Sequence, residues 1–241
     1  MNKTIVRREF IDDSYLPASL HPVIKQIYAA RGVKSEQELI LNASQLIPAD
    51  QLSGIDDACS ILYQALKNEQ QITIVGDFDA DGATSTALMM TALSMFGSQK
   101  HQFLVPNRFE YGYGLSPEIV NVAYKNGAEL LITVDSGISC LAGVEQAKSL
   151  GLDVIVTDHH LQGKKLPPAD AIINPNQEQC NFPSKALAGV GVAFYFMLAM
   201  RKFLREQQWF SGQIIHGQNI AEPNIAQLLD LVALGTVADV V

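Results

Sequence analysis

The sequence predicts an α/β fold, a mainly parallel sheet flanked by helices, with a small helical segment at the N-terminus. Three observations predict it. Five short apolar runs separated by helix-like stretches recur from residue 72 onward, and runs of that length alternating with helices are parallel strands buried on both faces. Polar clusters follow four of those runs directly, at what would be a single edge of the sheet. Residues 16–70, in contrast, carry helical spacing and helix stops but no clear strand pattern. The expected division is a helical segment over residues 1–70 and a sheet domain over residues 71–241.

Taken in order, "LHPVIKQIYAARG" places Val23, Ile24, Ile27 and Tyr28 at helical spacing with Gly32 as a stop, and "SEQELILNAS" predicts a second helix after a Ser cap. In "GIDDACSILYQALKNEQ" the residues Ile55, Ala58, Cys59, Leu62, Ala65 and Leu66 form the apolar face of a helix that delivers the chain into the first run. The expected strands are "ITIVG" (72–76), "QFLVP" (102–106), "LLITV" (130–134), "DVIVT" (153–157) and "AIIN" (171–174). Helices are expected near 83–96, 116–126, 139–150 and 188–206. In such sheets ligands collect beyond the carboxyl ends of the strands. Asp77–Asp81, "PNRFEYGYG", Asp135 and Asp158-His159-His160 all fall there.

With 241 residues and 48% hydrophobic content, the chain can build one large or two small packed domains, and it has no low-complexity tract. "MNKTIVRREF" lacks the apolar core of a secretory signal. No segment approaches the roughly 18 consecutive apolar residues of a membrane span. A cytoplasmic protein that does not engage a membrane is expected. Cys59, Cys140 and Cys180 show no metal-finger spacing and read as reduced and incidental. A net charge of −8 argues against a nucleic-acid clamp built over the whole surface, while leaving room for a local basic groove.

"GDFDADG" crowds Asp77, Asp79 and Asp81 at alternate positions. If the strand continues, residues two apart share a face, and three carboxylates on one face need a cation between them, for which a hydrated divalent metal is the economical candidate. Gly82 would then permit the turn into the helix that follows. Asp135, at the end of the third run, could bridge two metals held there. "VIVTDHH" adds two imidazoles, and a carboxylate and imidazole set without thiolates suits manganese or magnesium better than structural zinc. Two such ions point to phosphoester hydrolysis. No GxxxxGK[ST] loop is present, which argues against a P-loop hydrolase. The glycines of "AGVGVAF" (188–194) fit close helix packing at least as well as phosphate binding.

"VGDFDADG", "TVDSGIS", "VTDHH" and "ALGTVADVV" together resemble the four ordered motifs of the DHH phosphoesterase superfamily. With "LHPVIKQIYAARG" and "NRFEYGYGLS" the chain is similar, over nearly its whole length, to the RecJ branch of single-strand-specific 5′→3′ DNA exonucleases. The resemblance implies two ions, Mn²⁺ or Mg²⁺, one on Asp81, Asp135, His159 and Asp239 and the other on Asp77, Asp79 and Asp135. It implies that His160 faces the scissile phosphate, with Asp158 orienting the histidines. Asp239 rests on the resemblance alone. Arg108 is the candidate for holding a DNA phosphate or the 5′ terminal phosphate. Tyr111 and Tyr113 could stack bases.

RecJ-like chains continue well past the last motif, so residues 71–241 read as a phosphoesterase domain cut short at its C-terminal end. The expected activity is removal of nucleotides from the 5′ end of single-stranded DNA in repair and recombination. The expected partners are that DNA and, from the resemblance, single-strand-binding protein, a helicase or mismatch-repair factors, with the protein a monomer. Two alternatives differ in class. One is a phosphatase or phosphodiesterase acting on pyrophosphate, short oligonucleotides or cyclic dinucleotides. The other is an inactive DHH-type scaffold, which would have lost metal carboxylates that this sequence retains.

Overall fold

The apolar runs form a five-stranded, all-parallel sheet in the computed structural model of the chain, which describes residues 9–40, 42, 45–107, 114–212, 214–215 and 217–239. The chain divides into two units, Met1–Ile47 and Pro48–Val241. The first holds α1 (Pro22–Ala30), with Pro22 in its opening turn and Gly32 at φ 83° just beyond its end. A proline at a helix start and a glycine past its end are the expected punctuation. The helix expected in "SEQELILNAS" is corrected to a 3₁₀ turn over Glu36–Leu39. Glu38 reaches back to the Lys34 amide and the Ser35 hydroxyl, which closes a tight local turn instead of starting a longer helix.

In the second unit a 3₁₀ turn (Ala49–Gln51) precedes α2 (Ile55–Lys67), which buries the six apolar positions that the spacing picks out. There follow β1 (Ile72–Val75), α3 (Ala80–Met95), β2 (His101–Leu104), α4 (Pro117–Lys125), β3 (Leu130–Val134), α5 (Leu141–Ser149), β4 (Asp153–Thr157), β5 (Ala171–Ile173) and α6 (Gly189–Glu206). A two-stranded ribbon of β6 (Ile214–Ile215) and β7 (Gln218–Asn219), a 3₁₀ turn and α7 (Leu229–Ala238) complete the described chain. No helix among the described residues is long and apolar enough to cross a membrane.

The strand order is β2-β1-β3-β4-β5. Val75, Leu131, Val154 and Val156 pack with Ile119, Val120, Val144 and Ala147 of α4 and α5 on one face. The alternate residues point to the opposite face, where α2, α3 and α6 lie. Helices on both faces explain why β1 and β3 are buried at every position. The order reverses between β1 and β3, and a doubly wound sheet opens its crevice at that switch point, beyond the carboxyl ends of the strands. Asp77 follows β1 and Asp135 follows β3.

Candidate metal centre

The extended reading of "GDFDAD" is corrected by the structure. β1 ends at Val75, and Asp79 is already the N-cap of α3, its Oδ1 accepting the Gly82 amide at 2.9 Å. A carboxylate there satisfies an amide that a helix start leaves unpaired and sits at the positive end of the macrodipole, so the helix wins over a longer strand. Gly82 therefore lies inside α3, and Asp81 lies in its first turn. The three carboxylates do not share one face. One oxygen each of Asp77, Asp79 and Asp135 lie within 4.8 Å of one another, while Asp81 turns toward His159 and Asp239, again within 4.8 Å.

Asp135 stands where these two groups meet. Its backbone is left-handed, at φ 57°, a conformation that Asp tolerates better than most residues. Its Oδ1 lies 3.1 Å from His159 Nε2, and the same nitrogen is 3.8 Å from Asp81 Oδ2 and 3.6 Å from Asp239 Oδ2. Asp135 Oδ1 and Asp239 Oδ2 are nonetheless buried and without a hydrogen-bond partner among the described residues. Short approaches without donor alignment are what acceptors aimed at a shared point produce. Asp135, His159 and His160 form a third such cluster.

Asp158 behaves differently, because its lone pairs are engaged by the chain. Oδ1 accepts the amides of His159 (2.7 Å) and His160 (3.0 Å) and faces His160 Nδ1 at 2.7 Å, while Oδ2 accepts the Ile138 amide at 2.9 Å. These bonds tie the loop after β4 to the loop after β3. Burial works to raise the Asp158 carboxyl, but the His160 and Ile138 hydrogen bonds outweigh it and hold the group below the usual carboxylate range. The Asp158 hydrogen bond pushes His160 up to about 9. Burial pushes Asp135 up to about 7 and also raises Asp81, against the pull of the Val190 and Gly189 amides. For His159 burial opposes the charged form, yet Asp135 and Asp239 carry the net shift upward. Beside His160, a cavity of about 380 Å³ is lined by Gly137, Ile138, Ser139, Cys140 and Asp158.

Helices from distant parts of the chain complete the centre. Asp81 caps α6, its two oxygens accepting the Gly189 and Val190 amides at 2.6 and 2.8 Å. A Cβ on Gly189 would lie 2.6 Å from Asp135 Oδ1, so a side chain there would displace the shared carboxylate. A Cβ on Gly235 would lie 2.5 Å from Thr84 Oγ1 and 3.0 Å from Asp81 Oδ1. Its absence lets α7 close on α3 and bring Asp239, the residue after α7, to His159. Of the glycines of "AGVGVAF", Gly189 thus serves close packing at the centre, and Gly191 close packing against Leu187. Sequence reasoning missed the two α6 amides, and it missed Asn174 and Asn176, whose side chains reach the carbonyls of His160 and His159. The available signal was the polar "NPN" (174–176) that closes the fifth apolar run. Arg108, Tyr111 and Tyr113 lie outside the described residues.

The donor set fits divalent cations. Buried, unpaired carboxylate oxygens are costly unless something positive meets them, and carboxylates with one imidazole and no thiolate suit manganese or magnesium.

Residues 71–236 match the DHH family, N-terminal domain. The single-stranded-DNA-specific exonuclease RecJ of Escherichia coli (strain K12) is 60% identical over 98% of this chain. The chain spans 40% of the length of that curated relative. Among solved structures, a RecJ exonuclease bound to manganese aligns with a TM-score of 0.65 at 33% identity, over 78% of this chain and 44% of that one. RecJ from Thermus thermophilus in complex with Mn²⁺ aligns with a TM-score of 0.67 at 29% identity, over 88% of this chain and 28% of that one.

Proposed function

The chain belongs to the DHH family, and from that premise we propose that it is the metal-binding hydrolytic core of an exonuclease that degrades single-stranded DNA from its 5′ end in repair and recombination. The observation that carries the reading is the meeting, at Asp135, of two acidic ligand groups drawn from the ends of β1, β3 and β4 and from α3 and α7. The likeness to RecJ structures bound to manganese or magnesium supports the cofactor, and the likeness to single-stranded-DNA-specific exonucleases supports the substrate. The 5′ polarity is supported by the motif resemblance.

In this reading Asp77, Asp79 and Asp135 would hold one Mn²⁺ or Mg²⁺ ion, and Asp81, Asp135, His159 and Asp239 would hold the other. Such a pair of ions, when bound, supplies Lewis acidity to the attacking and leaving oxygens of an in-line displacement at phosphorus. His160 faces the scissile phosphate. Asp158 holds its Nδ1, so Nε2 is the atom left to meet a phosphate oxygen, and the Asp158 hydrogen bond favours the charged imidazole that can donate there. Asp158 fixes the ring and its charge without touching substrate. Arg108 holds a phosphate of the strand. Residues 1–70 precede the phosphoesterase domain proper, which runs from residue 71. A cytoplasmic monomer meeting single-strand-binding protein, a helicase or mismatch-repair factors belongs to the same proposal.

Manganese-dependent release of nucleotides from 5′-labelled single-stranded DNA tests the reading. Asp79→Ala and Asp135→Ala should each abolish release, and unchanged degradation in both would overturn it. Turnover of a dinucleotide in preference to a long single strand would favour the small-substrate phosphodiesterase instead.

A further inference from the structure

The β4–β5 ladder stops at Thr157 and Ile173, yet the chain that carries both histidines runs on past it. The carbonyls of His159 and His160 are met there by side chains. Asn174 Nδ2 donates to His160 O at 2.9 Å, and Asn176 Nδ2 donates to His159 O. The orientation of the first amide is fixed by its other end, because Asn174 Oδ1 accepts the Asn176 amide N–H at 2.7 Å, which leaves Nδ2 as the group facing His160. Asn174 is wholly buried, and Pro175 between the two asparagines is buried as well. The turn is also stapled from behind. Lys185 Nζ donates to Pro175 O and Cys180 O, and Asn176 Nδ2 reaches Lys185 O at 3.3 Å.

We propose that Asn174 and Asn176 are positioning residues for the metal and phosphate chemistry: their amides clamp the backbone of His160 and His159 and so set where the two imidazoles point. The proposal rests on the two-metal reading for its chemistry. The geometry demands amides specifically, since an aspartate of the same shape would present an acceptor to a carbonyl that needs a donor. It also divides the labour. Asn176, through His159, governs cation affinity, and Asn174, through His160, governs turnover.

Asn176 is only half-buried, which makes it the variant that folds. Calorimetric titration with Mn²⁺ alone compares Asn176→Asp with Asn176→Gln, and the metal-free proteins are compared by NMR of the histidine ring resonances. Asn176→Asp should weaken Mn²⁺ binding about 10-fold or more, the range seen when a group that orients a metal ligand is lost, and should shift the His159 ring signals. Asn176→Gln, which keeps a donor, should recover part of the affinity. A loop that matters only for its shape would reverse that order, because Gln is larger than Asn whereas Asp is isosteric, and the reversed order overturns the proposal. Asn174→Asp should lower kcat on single-stranded DNA about 10-fold with KM within about twofold. Wild-type kcat in that variant, or wild-type affinity in Asn176→Asp, overturns the corresponding half. Should Asn174→Asp fail to fold, the Asn176 pair decides alone. If the nuclease reading is wrong, the wild type will leave single-stranded DNA intact, and the Mn²⁺ order of wild type, Gln and Asp will still stand or fall by itself.

Discussion

At Asp158 four hydrogen bonds converge on one carboxylate that is only 1% exposed, and three of the four donors are the backbone or ring N–H groups of the two histidines that follow it. Asp135 and Asp239 each keep one buried oxygen in the centre without a hydrogen-bond partner among the described residues, whereas both oxygens of Asp158 are engaged by the chain. The Asp158→Asn variant turns an NH₂ group toward one of these donors and removes the charge. The folded protein should lose about 1–3 kcal/mol, the cost of leaving a buried donor such as the Ile138 amide unsatisfied. His160 should titrate well below its value of about 9, toward the ordinary imidazole range. The sign follows from linkage. Stability from a raised imidazole pKa is fully present below its unfolded value, about 6.5, and is lost as pH rises through the folded value. In the variant that contribution disappears near neutrality, so its stability should no longer fall between about pH 7 and 9 as the wild type's does. NMR titration of the His160 ring and chemical denaturation across that range check both expectations.

The elements differ in how much of them the sequence disclosed. Helix α2 was legible because burial on one stripe imposes a helical period, and strands β3 and β4 because burial on both faces imposes an unbroken apolar run. The start of α3 was misread because alternate aspartates look like a strand, while Asp79 in fact spends an oxygen on the helix start. The contacts that α6 and α7 make with the centre left no local pattern, since Gly189 and Gly235 matter only for what approaches them from distant parts of the chain. That dependence can be tested at the level of the element. Gly235→Ala places a methyl group against Thr84, Val190 and Asp81, where α7 must back away from α3 and take Asp239 with it. Overpacking of this kind costs about 1–3 kcal/mol. The expected outcome is a matching fall in unfolding free energy and a loss of Mn²⁺ affinity greater than the same substitution causes at Gly151, whose Cβ position meets nothing within 4 Å and whose φ of 78° makes alanine costly for the backbone alone. Equal affinity in the two variants would show that α7 need not close on α3 for the ion to bind.

On the scale of the whole molecule, the sheet order β2-β1-β3-β4-β5 gathers Asp77, Asp135 and His159 at one edge, and helices α3 and α7 add Asp81 and Asp239. A fold that collects buried carboxylates at its switch point stabilises itself less than it could, and binding of a cation offsets that cost. Asp135 makes the trade measurable. Burial holds its carboxyl up at about 7, above the unfolded value, so its ionisation opposes folding fully above pH 7, and the penalty fades as pH falls toward about 4. With EDTA present at pH 8, Asp135→Asn should therefore unfold no earlier than the wild type, because an amide in that place carries no charge to bury. Mn²⁺ should reverse the ranking. A ligand at 100 times its dissociation constant stabilises by about 2.7 kcal/mol, which for a unit of this size is a rise in Tm of about 5–11 °C. The wild type should gain that rise, and Asp135→Asn should gain little of it. Thermal unfolding of both proteins, with EDTA and then with Mn²⁺, separates the two roles of the residue. An Asp135→Asn protein that is already less stable in EDTA would mean that the carboxylate holds the fold together rather than waiting on a cation.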